Sequence, residues 1–101
     1  MARASAAAIG LLLGSMWATA SLACDNPNEP NGFPDPAKAS EPEMVSAQQG
    51  VKTYLSGMEA RLKCLEAAKD TGKYNDSVAQ MQKVAGKFNA VVRAYRARQA
   101  G

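Results

Sequence analysis

Residues 40–72 read SEPEMVSAQQGVKTYLSGMEARLKCLEAAKDTG, and the spacing of apolar residues within this stretch decides the fold. Ser40 stands three residues ahead of Glu43, with Pro42 between them. That pattern starts a helix, because hydroxyl and carboxylate can each bond a free backbone N–H, and a proline in the first turn has no N–H to lose. Beyond it Met44, Val51, Met58 and Leu65 recur every seven residues, with Leu55 and Leu62 interleaved. These steps of four and three draw one apolar stripe along a helix. Asp70-Thr71-Gly72 then supplies turn formers, and Gly72 suits the left-handed position just past a helix end. The expected helix covers about residues 40–70, and its stripe needs a partner.

The partner follows directly. Val78, Met81, Ala85, Phe88, Val92 and Tyr95 repeat the same steps, predicting a second helix over about 74–98. Two stripes of similar length on either side of a short turn fold back on each other. The expected fold is therefore all-α: an antiparallel two-helix hairpin over 40–101 with an extended N-terminal arm. Pairing about the turn sets Leu62 near Met81 or Ala85, Leu55 near Phe88, and Val51 near Val92. It also brings Glu41 and Glu43 to the end carrying Arg93, Arg96 and Arg98, where each group suits its own helix dipole. Met44, Met58 and Met81 are expected as core filler. Tyr74 and Tyr95 are expected on helix ends with wet hydroxyls. Val45, Val84 and Val91 are left over and available to a dimer.

The arm is residues 24–39. Pro27, Pro30, Pro34 and Pro36, with Asn26, Asn28, Asn31 and Gly32, cannot sustain a helix or an interior strand and favour extended chain of polyproline character. Gly50, Gly57 and Cys64 form a row spaced by seven on the first helix, flanked by Ala47, Tyr54 and Ala68. A glycine inside a helix costs about 1 kcal/mol relative to alanine, so the row suggests that something packs close to the backbone. The arm can reach, since the chain from Cys24 to Ser40 extends up to about 50 Å, while Ser40 to Cys64 spans about 36 Å of helix. A Cys24–Cys64 disulfide strapping the arm into this groove, with Phe33 near Gly50 and Tyr54, is the expectation. A loop of that size stabilises by roughly 4 kcal/mol in the chain-entropy account.

Residues 1–23 read as a signal peptide. Arg3 gives a positive start, Ala6 to Leu13 is almost wholly apolar, and Ser21-Leu22-Ala23 ends in small residues at −3 and −1. Glycines and hydroxyl residues interrupt the run, which is too weakly apolar for a membrane span. Export to the periplasm or the medium follows, and two cysteines in an exported chain are natural disulfide partners. Cleavage after Ala23 would leave Cys24 first, where a bacterial lipoprotein carries its lipid. Ser21 stands where a lipobox wants a branched apolar residue, so ordinary cleavage is favoured and a lipid-anchored Cys24 is the alternative.

The chemistry that the sequence lacks is equally informative. There is no histidine, hence neither the usual general base nor the commonest metal ligand. Two cysteines forty residues apart do not make a zinc site, and no phosphate-binding glycine loop or Ser-x-x-Lys is present. Paired acids such as Glu41 and Glu43 lie at a helix start, where they cap. No enzyme activity, cofactor or metal is therefore expected, and a net charge of +3 is too small to imply a nucleic-acid partner.

Charge is distributed unevenly. Asp25, Glu29, Asp35, Glu41 and Glu43 face one base, Lys38, in residues 24–43, whereas only Lys83, Lys87, Arg93, Arg96 and Arg98 follow Asp76. The stretches 47–54, 64–66 and 88–98 resemble small exported proteobacterial proteins of unknown function, a resemblance that implies export and two helices and supplies no mechanism. The expected function is a non-enzymatic periplasmic or secreted interaction or structural module, bound to another envelope protein or to itself. The alternative is an envelope-surface binder that lays the five basic residues of the second helix on anionic lipid.

Overall fold

The computed structural model describes residues 24–101; the expected signal peptide lies outside the described residues. An extended arm leads into two helices, α1 (Glu41–Ala67) and α2 (Thr71–Ala100), which pack as an antiparallel hairpin. Among the described residues no helix is long and apolar enough to cross a membrane.

The start of α1 is the capping box that its sequence implies. Ser40 Oγ accepts from the Glu43 backbone N–H at 3.3 Å, and Glu43 Oε1 accepts from the Ser40 N–H at 2.9 Å. These two bonds satisfy backbone donors that the helix itself leaves free. They also hold the Glu43 carboxyl below the usual carboxylate range, the backbone bond from Ser40 more than its hydroxyl.

The bend is tighter than expected and uses different residues. α1 ends at Ala67, and Lys69, not Gly72, takes the left-handed conformation, with φ of 58°. Asp70 N–H donates to the Leu65 carbonyl and Lys69 N–H to the Glu66 carbonyl, both at 3.0 Å. This is the Schellman closure of a helix end. Asp70 then caps α2, its carboxylate accepting from the Lys73 N–H at 3.1 Å. Gly72 consequently lies inside the first turn of α2, which begins earlier than residue 74 because Asp70 is the stronger signal: an N-cap acceptor three residues ahead of a free N–H outweighs the preference of glycine for a turn.

The stripe of α1 is buried at Met44, Val51, Met58 and Leu65. Two residues depart from the expected seam. Tyr54, placed by its spacing on the flank, is 3% exposed, and Val84, left over from the second stripe, is also 3% exposed. With Met58 they form the centre of the core, against which Phe33, Leu55 and Met81 pack. Val78, Ala85, Val92 and Tyr95 are only half-buried, as are Leu55 and Leu62. The reason is a third layer. The arm lies along one side of the hairpin, so the most enclosed line runs between helices and arm and not along the midline of the two helices.

The ends differ from expectation as well. Arg98 donates to the Ala39 carbonyl at 2.8 Å and lies over the Tyr95 ring, 5.0 Å from its centroid. Among the described residues the ion pair within 4.0 Å is Lys73–Asp70, at 3.9 Å, and not a pairing of Glu41 or Glu43 with Arg93, Arg96 or Arg98. Arg98 is engaged by the Ala39 carbonyl, and Glu43 is already bonded to Ser40.

Candidate interaction surface

Besides the Arg98–Ala39 bond at its end, four contacts fix the arm on α1 and α2, and they define two unlike faces of the hairpin. The first is the Cys24–Cys64 disulfide, with 5.5 Å between Cα atoms and 40 residues of sequence separation. The expected bridge is thus formed, and the Cys24 sulfur that a lipid thioether would need is bonded to Cys64. The second is Pro27 on Gly57: a β-carbon at Gly57 would lie 2.7 Å from Pro27 Cγ. Glycine here is a requirement of packing. Gly50 is different, with open space where its β-carbon would stand. A hollow of about 390 Å³ between Gly50 and the chain from Pro30 to Pro34 shows the arm standing off at that level.

The third contact is Phe33, whose ring meets that of Phe88 at 5.4 Å between centroids and a tilt of 53°. Tilted packing suits aromatic quadrupoles. It ties the arm to α2 as well as to the Tyr54 core, where spacing alone placed it. The fourth is Arg61, which sequence reasoning missed. Its Nε donates to Ser77 Oγ at 3.0 Å, and its Nη1 donates to the Cys24 carbonyl. One guanidinium thus holds α1, α2 and the anchored end of the arm, a use of its several fixed donors that lysine could not copy. Its signal was present: Arg61 follows Gly57 by four and precedes Cys64 by three, on the same helix face. The bond satisfies the hydroxyl of Ser77, which is buried.

Tyr54 brings a polar group into the core. Its hydroxyl is buried and has no hydrogen-bond partner, and burial, assisted by the negative charge of Glu29, raises its pKa. Beside it Glu29 and Lys87 line a small pocket of about 180 Å³ with Phe33 and Val84. At the bend, Leu65, Glu66, Lys69 and Tyr74 border an open hollow of about 570 Å³. Among the described residues no group of three potential ligands is placed to hold a metal ion.

The five basic residues do not form one patch. Lys83, Lys87, Arg93, Arg96 and Arg98 are all exposed, but at 100° per residue they point in several directions around α2, and Arg98 is engaged with Ala39 and Tyr95. The other face of the hairpin is more continuous. At 100° per residue the sides of the helices turned away from Pro27 and Phe33 carry Leu55 and Leu62 on α1 and Val78, Ala85 and Val92 on α2, all half-buried. Each keeps part of its surface open to solvent.

Compared with protein-family models, with curated proteins and with solved structures, the chain matches none.

Proposed function

We propose that the chain is a non-enzymatic helical interaction module that works in an oxidising compartment, the periplasm or the extracellular medium. The Cys24–Cys64 bond carries this reading. It closes a 40-residue loop and anchors the arm, and bonds of this kind persist outside the reducing cytosol. The chain also contains no histidine, Arg61 and Ser77 bond each other, and Met58 fills the centre. A strap that rigidifies one face leaves the opposite face preorganised for a partner, which lowers the ordering cost of association.

Cell fractionation followed by a non-reducing peptide map tests the compartment. The disulfide-linked Cys24 and Cys64 peptides are expected in the envelope fraction or the medium; free thiols in the cytosolic fraction would defeat the proposal. Amine-reactive cross-linking in that fraction tests the interaction. At least one covalent adduct of the chain is expected, and a chain recovered only uncoupled removes the module reading.

A further inference from the structure

We infer that the face opposite the arm docks a second copy of this chain, the two hairpins lying back to back and antiparallel. The inference rests on the interaction-module reading and names its partner. Two observations carry it: a partly exposed apolar strip at the seam, and a row of charges beside that strip which complements itself only when one copy is reversed.

The strip consists of Leu55 and Leu62 on α1 with Val78, Ala85 and Val92 on α2, all half-buried. The arm shields the other side of the same seam through Pro27 and Phe33. A two-helix layer with one side free of the arm is half of a four-helix bundle, and α2 repeats its strip residues every seven positions, the period of such packing.

Along the outer edge of the strip, α1 carries Val45, Lys52, Glu59 and Glu66, again every seven residues. Val45 is 49% exposed, and the other three are exposed as well. Lys52 and Glu59 are about 10.5 Å apart along one helix, too far to pair within a chain. A two-fold axis crossing α1 at Leu55, between them, sets Lys52 of each copy against Glu59 of the other, twice. It also lays the Val45 side chain on the stem of Glu66 and Leu55 on Leu55. A parallel arrangement offers Lys52 and Glu59 no such exchange.

The second helix fits the same axis. The Arg61–Ser77 bond and the Tyr54–Val84 contact set the register of the hairpin, which puts Leu55 level with Lys83. Tyr74 and Val92 stand nine residues to either side of Lys83, so reversing one copy brings half-buried Tyr74 level with half-buried Val92 of the other. An isologous, self-complementary contact is what a closed dimer requires.

Sedimentation of the purified, oxidised protein over a wide concentration range tests the inference. A reversible monomer–dimer equilibrium is expected. Lys52→Glu and Glu59→Lys are each expected to raise the dimer Kd about tenfold, since each turns two attractions into two repulsions. The double variant restores the wild-type Kd, a rescue that contacts within one chain cannot mimic. Both positions are exposed, and unchanged circular dichroism confirms that the variants fold. Ala85→Glu, on the strip itself, is expected to abolish the dimer. A monomer at every concentration overturns the inference, as does a dimer indifferent to the single reversals or not rescued by the double. If the chain sediments as a monomer while cross-linking yields an adduct with a different protein, this inference fails and the module reading stands.

Discussion

Pro27 sits on the backbone of α1 at Gly57, 2.7 Å from where a β-carbon would be. The arm thereby replaces a side chain that the helix does not have. Gly57→Ala gains roughly 1 kcal/mol of helix propensity but drives a methyl into a rigid pyrrolidine ring, so a net loss of stability is expected. Gly50→Ala meets nothing within 4 Å and should keep most of that gain. Denaturant unfolding of both variants checks the opposite signs.

Reduction should loosen the arm first. Removing the 40-residue cross-link costs about 4 kcal/mol in the chain-entropy account, a large part of the stability of a domain this small. The variant Cys24→Ser/Cys64→Ser is expected to unfold at markedly lower denaturant concentration. Hydrogen exchange should rise at residues 24–39 before it rises in the helices.

Tyr54 predicts an alkaline weakness. Its pKa is raised by burial and by Glu29, so the folded state favours the neutral phenol. That contribution is complete below the ordinary tyrosine value near 10 and is lost as pH rises from there through the raised folded value, because the unfolded chain ionises first. Tyr54→Phe should abolish this alkaline loss. It also removes a buried hydroxyl without a partner, and stability at neutral pH should rise by about 1 kcal/mol. Unfolding free energy measured against pH in both proteins checks the two expectations together.

Lys69 holds a left-handed conformation, with φ of 58°, that costs an L residue roughly 1–2 kcal/mol and glycine almost nothing. Lys69→Gly should therefore stabilise the bend by up to about 1 kcal/mol after the added freedom of the unfolded glycine is counted. The Lys73–Asp70 pair is exposed and contributes little, so it does not mask the effect. A thermal unfolding series with Lys69→Ala as control measures it.

Much of this architecture was legible because it is local. Ser40, Pro42 and Glu43 announce a helix start within four residues, and the apolar steps of 44–65 and 78–95 are periodic signals that need no knowledge of neighbours. The small-residue row and the reach of an extended arm led to the Cys24–Cys64 bond and to Phe33 beside Tyr54. The bend was legible in place but not in detail, because Gly72 and Asp70 both suggest a turn and only the Schellman closure on Leu65 and Glu66 chooses between them.

The chain's own order of residues determined two amphipathic helices, their antiparallel pairing and the covalent strap, since periodicity, caps and loop length act along the backbone. Only the tertiary structure decided that Tyr54 and Val84 lie at the centre, that Arg61 bonds both Ser77 and Cys24, and that Arg98 holds Ala39 in place of a carboxylate. These follow from the side on which the arm lies. A third layer added to one face of a two-helix seam shifts the buried line toward itself, and no spacing within either helix encodes that direction.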